Sequence, residues 1–247
     1  MQHSTPGHFP TTSWSLVLQI RSSDEKVVRQ ALENICRDYW PPLYRFVRIQ
    51  GASPEQAEDE VQGFFQKMLE KGWLESIETP KQDGTTGTLR SYLLTCLKAY
   101  RANEHRRENA LRRGGGFQRI HMEPESDDSD VIDLQPASDR SPEEEYDRAW
   151  AMEVLNRATH ALRQRYIAKG RAEQFAALEP YLMEGSGEPQ AALAEKLGST
   201  TAKLKTDIHR LRQRFREAIR DEVSRTLAPD AGISVDEELA HLIRSLG

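Results

Sequence analysis

The most specific chemistry in the sequence lies between positions 203 and 216. At about 100° per residue, Lys203, Lys205, Thr206, His209, Arg210, Gln213 and Arg216 fall on one side of a predicted helix. Leu204, Ile208, Leu211, Phe215 and Ile219 form a narrow apolar stripe on the other side. Lysine and arginine suit phosphates and guanine edges, glutamine suits adenine, and threonine suits phosphate or a thymine methyl. Arg220 continues the same polar face. The stretch ahead reads EPQAALAEKLGSTT: a short helix beginning with Pro189, then a tight turn at Gly198, Ser199 and Thr200. Two helices so joined make a helix-turn-helix, whose second helix enters a DNA major groove. An ordinary helical hairpin with a solvated charged face would use the same residue types, so the Ala-Leu-Ala-Glu-Lys-Leu-Gly helix in front decides for DNA.

A second polar strip stands in the first half of the chain. Ser53 is placed as an N-cap, with Pro54 at the first helical position and Gln56 three residues after the cap. Ala57, Val61, Phe64, Phe65, Met68 and Leu69 then make one apolar stripe, and Asp59, Gln62, Gly63 and Gln66 line the opposite face. After a Pro/Gly/Thr-rich loop at 79–88, Leu89, Tyr92, Leu93, Cys96, Leu97 and Tyr100 give another helical stripe. It runs into the basic sequence RANEHRRENALRRGGG, which contains Asn103, Arg106 and Arg107. Tyr100 is open between packing in the core and stacking on a base.

These helices require a helical scaffold around them. Val27, Val28, Ala31, Leu32, Ile35 and Cys36 share one face of a helix from Asp24 that Pro41 and Pro42 are expected to stop, and Leu43, Phe46, Val47 and Ile49 form a further short helix. In the second half, helices are expected over 146–166, 173–181, 188–197 and from 201 to about 227. A final amphipathic helix is capped by Ser234 with Glu237 and carries Leu239, Leu242, Ile243 and Leu246. No strand pattern and no repeat is found, so the fold class is all-α.

The chain has 247 residues, of which 37% are hydrophobic and 30% charged, and its formal net charge is −5. That acidity argues against a nucleic-acid partner only until it is located. Residues 121–147 hold eleven acidic residues against Arg140 alone, a net of −10, which leaves +5 on the remainder. Residues 98–119 and 201–220 each net +5. The acidic stretch has three prolines and no apolar period, and it reads as a disordered tether. The resulting organisation is an extension at 1–22, a helical domain at 23–116, the acidic linker at 117–147, a helix-turn-helix domain at 148–228 and the closing helix at 229–247. That closing helix is expected to pack on the second domain or to dock a regulator.

No apolar run is long enough to span a membrane, and the first twelve residues lack a signal-peptide pattern, so the setting expected is the cytoplasm without membrane insertion. The two cysteines fit a reducing compartment and cannot build a zinc cluster. No HExxH, GxSxG or P-loop pattern occurs and the histidines are scattered, so no catalytic residue, metal ligand or cofactor is assigned and an enzyme is not expected.

Both halves resemble bacterial RNA polymerase sigma factors of the sigma-70 family, in the extracytoplasmic function group. AEDEVQGFFQKML is similar to the sigma-two segment that grips the polymerase clamp, LRSYLLTCLKAYRANEHRR to the adjoining promoter-melting and minus-ten segment, and EPQAALAEKLGSTTAKLKTDIHRLRQRFR to the sigma-four helix-turn-helix that reads the minus-thirty-five element. FPTTSWSLVLQ, RRGGG and VDEELAHLIRSL further resemble a planctomycete-type subgroup. The resemblance covers essentially the whole chain. It implies that Asp59, Gln62 and Gln66 contact core RNA polymerase, that Asn103, Arg106 and Arg107 contact the non-template strand, and that promoter DNA lies on the Lys203 to Arg216 face. It also implies control by a partner such as an anti-sigma factor or a regulatory kinase. Gly63 stands where the family usually has Glu, and Ala99 where Asn is frequent. The readings set against it are a helix-turn-helix regulator, and a sigma-like adaptor, neither of which initiates transcription.

Overall fold

The computed structural model describes residues 17, 19–74, 88–114, 140–183, 188–227 and 233–247. Most of the 79–88 loop, the N-terminal extension up to residue 16 and residues 117–139 of the acidic stretch lie outside them. The described residues are helical and contain no strand, only an isolated bridge between Thr88 and Leu227.

Helix α1, Glu25–Ile49, starts at Asp24, whose side chain accepts the Lys26 N–H. It does not stop at Pro41 and Pro42, as their sequence predicts, but runs through both. A proline inside a helix costs roughly 3 kcal/mol in lost bonding and clash. Ala31, Ile35, Tyr39, Leu43 and Phe46 stay in register across the pair and are fully buried. Each large side chain of that stripe contributes on the order of 1.5–3 kcal/mol, which together outweighs the prolines.

Helix α2, Pro54–Glu70, has the expected capping box at Ser53 and Gln56. Its buried face is Ala57, Val61, Phe64, Phe65 and Met68, whereas Leu69, expected on that stripe, is 43% exposed. Helix α3, Leu89–Gly114, buries Leu89, Leu93 and Leu97 against α1 and α2.

Helix α4, Pro142–Ile167, begins within the stretch read as linker. Ser141 accepts the Glu144 N–H while the Glu144 carboxylate takes the Ser141 N–H, a full capping box with Pro142 at the first position. Those hydrogen bonds hold the Glu144 carboxyl below its ordinary value. Ser141→Ala is expected to remove about 1 kcal/mol of stability, read as a lowered urea midpoint with unchanged slope. Tyr146, Trp150, Val154, Ala158, Leu162 and Tyr166 follow every fourth residue and are all buried. Each step of four rotates about 40° around a helix, so the ridge turns by roughly 200° along α4. The helix therefore serves two cores in succession.

The first core joins α1, α2 and α3 to the first half of α4, with Val223 and Leu242 from further along the chain. The second joins the rest of α4 to α5 (Ala172–Leu178), the 3-10 turn Glu179–Tyr181, α6 (Gln190–Lys196) and α7 (Thr201–Thr226). Tyr39 of α1 stacks on Trp150 of α4 at 4.8 Å, and Phe46 meets Tyr146 edge-on at 6.3 Å. Helix α8, Val235–Leu246, packs on α4 and α7 as expected, but it also reaches the first core through Leu242 and the first half of the chain through Glu238.

Candidate nucleic-acid interface

Helices α6 and α7 are joined by the short turn 197–200. Gly198 takes φ +57°, a left-handed conformation that a β-carbon would oppose, and Thr200 caps α7 by accepting the Lys203 N–H. Leu193 and Ala194 of α6 pack with Leu204, Ile208, Leu211 and Phe215 of α7 in the second core. That packing turns the opposite face of α7 outward. Lys203, Lys205, Thr206, His209, Arg210, Gln213 and Arg216 are all exposed. Thr206 bonds back to the Ala202 carbonyl at 3.1 Å, and the other six form no side-chain hydrogen bond or ion pair among the described residues. From Lys203 to Arg216 the face extends about 20 Å along the helix, long enough to track a groove.

Three neighbouring arginines are engaged elsewhere. Arg212 donates to the Tyr181 carbonyl at 2.8 Å and Arg214 to the Tyr166 hydroxyl at 3.1 Å, both within the second half. Arg220, which the sequence places on the DNA face, instead gives two hydrogen bonds to Asp236 of α8, at 2.5 and 3.1 Å. These hold Asp236 below and Arg220 above their ordinary values. The exposed face without ion-pair partners therefore ends at Arg216.

In the first half, Asp59, Gln62 and Gln66 are exposed in a row on α2, with Gln66 bonded to Glu70 at 2.9 Å. Asn103, Arg106 and Arg107 are exposed towards the end of α3. Arg106 donates to Asn103 at 2.9 Å and Arg107 lies 3.8 Å from Glu104, so the three are gathered on one turn with weak surface partners. Earlier in the same block, Lys98 pairs with Glu143 at 2.6 Å and Arg101 with Glu60 at 3.1 Å.

Gly63 and Tyr100 link α2 to α3. The Tyr100 ring lies edge-on to Phe64 at 6.0 Å, which places it with the core. A β-carbon at Gly63 would stand 2.5 Å from the Tyr100 hydroxyl but 3.6 Å from the ring carbon that bears it. The clash should cost about 1 kcal/mol, at the low end for overpacking because Tyr100 is half-buried and can shift. The gain of roughly 1 kcal/mol from Ala over Gly inside a helix offsets it, so Gly63→Ala is expected to be near neutral. With the hydroxyl removed by Tyr100→Phe, the same substitution should stabilise by about that gain in urea unfolding.

Arg90 is the node that sequence reasoning missed. It lies in the first turn of α3, 7% exposed, and its guanidinium grips Glu238 of α8 in two bonds, at 2.7 and 3.2 Å, and also bonds Asp147 of α4. Burial opposes its charge, but the Glu238 hydrogen bonds and the two carboxylates outweigh that and raise its pKa. Its carbonyl accepts the buried Tyr146 hydroxyl at 2.9 Å. Only the run of apolar neighbours around an arginine hints at this role in the sequence.

A cleft of about 690 Å³ lies among α1, α4 and α7. Its charged lining is balanced: Arg37, Arg157 and Arg225 against Asp38, Glu153 and Glu222. Burial pushes the Cys36 thiol up to about 11 and raises Cys96 as well, so both are poor nucleophiles at neutral pH. Among the described residues no group of three or more potential ligands is arranged for a metal, and no helix is long and apolar enough to cross a membrane.

The described residues form a helical protein with an exposed polar and basic face on α7. Comparison with known protein families, curated proteins and solved structures returned no match.

Proposed function

We propose that this chain is a helix-turn-helix DNA-binding protein and, more specifically, a transcription initiation factor of the sigma-70 type. Core RNA polymerase would dock on Asp59, Gln62 and Gln66. The α3 turn bearing Asn103, Arg106 and Arg107 would follow the separated minus-ten strand, and α7 would lie in the major groove of the minus-thirty-five element. The observation that carries this reading is the unpaired polar face of α7 behind a capped turn, in one chain with a separate exposed strip on α2. The assignment of each face rests on the motif resemblance of AEDEVQGFFQKML and EPQAALAEKLGSTTAKLKTDIHRLRQRFR to sigma-two and sigma-four segments. In this reading the protein works in the cytoplasm, needs no cofactor and catalyses no reaction of its own. An anti-sigma factor or a kinase would control it.

Gel filtration with core RNA polymerase tests the docking strip: the wild-type chain should co-elute, and Asp59→Lys with Gln62→Lys should not. The second reading, a helix-turn-helix regulator that does not initiate, draws on the shared packing of the halves around α4. It predicts DNA binding with no polymerase complex.

The DNA face makes a separate prediction. Arg216→Ala should weaken binding evenly across sequences and lower the salt slope by about one. Arg210→Ala or Gln213→Ala should instead flatten sequence preference, removing part of the ~1–3 kcal/mol that a mismatch normally costs. Titrations on matched and scrambled duplexes at several salt concentrations separate the two.

A further inference from the structure

We infer that α8 is a releasable strap that holds α1–α3 closed against α4 and α7. It is tied along its whole length. At its start Asp236 receives the exposed pair from Arg220 of α7. Two residues on, Glu238, 3% exposed, receives both bonds from Arg90 of α3. His241 Nε2 lies 2.9 Å from Asp147 of α4, Leu242 enters the first core, and Arg140 donates to the Gly247 carbonyl at 2.8 Å. These partners come from both sides of the acidic stretch.

The chemistry of the ties makes the strap separable. Leu242 is its one fully buried apolar side chain; Val235, Leu239 and Leu246 are only partly buried against the same core, and Ile243 is 69% exposed. A buried ion pair adds little net stability, since desolvation offsets most of its attraction, but it demands one geometry. A helix of 12 residues is marginal once undocked, so docking and folding of α8 form a single event. The seam beneath is also polar on one side. Arg157 of α4 reaches Asp38 of α1 at 3.7 Å and Glu222 of α7 at 3.3 Å, beside the charge-balanced cleft. These pairs are largely buried, so like Arg90–Glu238 they add little net stability while fixing one geometry.

Release would act first on α3. Arg90 opens the helix whose other end carries Asn103, Arg106 and Arg107, so the strap and that surface share one rigid element. A partner that binds the parted halves better than the closed ones must weaken α8 docking, and a loosened α8 must strengthen that partner's binding by the same factor. The identity of that partner as core RNA polymerase rests on the reading above; the strap itself does not.

Hydrogen exchange on the full chain tests this, with Glu238→Gln and Leu242→Ala as independent weakenings, one polar and one apolar. In both, amides of α8 should exchange about tenfold faster or more. Amides at 39–47 and 146–154 should accelerate with them by a similar factor, while 61–68 and 204–215 keep their wild-type rates. Acceleration confined to α8 would overturn the proposal, making α8 a packed tail. Uniform acceleration everywhere, or none, would overturn it too. Core RNA polymerase added to the wild-type chain should speed α8 exchange. Coupling of strap and seam without that response would leave the strap standing and overturn the polymerase as what opens it.

Discussion

Trp150→Ala should destabilise the protein by about 3–5 kcal/mol, the cost typical of truncating a buried aromatic to alanine. Trp150 is fully buried at the one place where α1 and α4 are stacked, parallel to Tyr39 within 9°. The Arg157 guanidinium covers it at 4.7 Å. Truncation empties this stack and removes the ring that desolvates Arg157, at the centre of the joint between the halves. With total stability of the order of 5–15 kcal/mol, the variant should lose a large share of its margin. Trp150→Phe should cost much less. It keeps a ring on Tyr39 and removes an indole N–H that is buried with no hydrogen-bond partner among the described residues, so part of the lost area is offset. Urea unfolding of the two variants reads both effects. Equal losses would mean that the ring kept on Tyr39 in Trp150→Phe contributes nothing to stability.

Arg90→Met is the second large effect, expected at about 3–5 kcal/mol, because it leaves Glu238 buried without its cation. The double variant Arg90→Met with Glu238→Met should recover most of that loss. Neither charge then remains to be desolvated, and Asp147 keeps its contact with His241. The coupling energy from this cycle, measured by denaturant unfolding, should be favourable and larger than that of the exposed Arg220–Asp236 pair, which solvent screens. A coupling near zero would show that the two side chains are adjacent without depending on each other.

What the sequence made legible was the local part. The starts of α2 and α8 follow from Ser-Pro-x-Gln and Ser-x-x-Glu, and the exposed face of α7 from the spacing of its apolar stripe. The same start signal stands at Ser141-Pro142-Glu143-Glu144, but it is embedded in an acidic run whose composition argues for disorder, so the helix was placed several residues late. Acidic residues in a first turn favour the helix dipole, and here that effect and the capping box prevail. Pro41 and Pro42 read as a stop because local bonding is lost there, whereas the stripe that overrides them is a tertiary fact. The rotating ridge of α4 has no single apolar face, so its service to two cores leaves no periodic signature.

Arg90 and Arg220 mark the limit of such reading. Arg220 sits in the middle of the polar face of α7 and is removed from it only by Asp236, and Arg90 meets Glu238 from 148 positions away. Spacing within one helix carries no information about partners brought by another. The closing helix is therefore expected on the second domain or at a regulator, although its two most buried side chains, Glu238 and Leu242, meet Arg90 and the first core.

The most direct test of the central proposal is transcription in vitro with core RNA polymerase and genomic templates from the organism that carries the chain. Transcripts should start at defined sites only when the chain is added, and should vanish with Asp59→Lys and Gln62→Lys while duplex binding through α7 persists. If the wild-type chain binds DNA yet yields no such transcript and no polymerase complex, the chain is not an initiation factor.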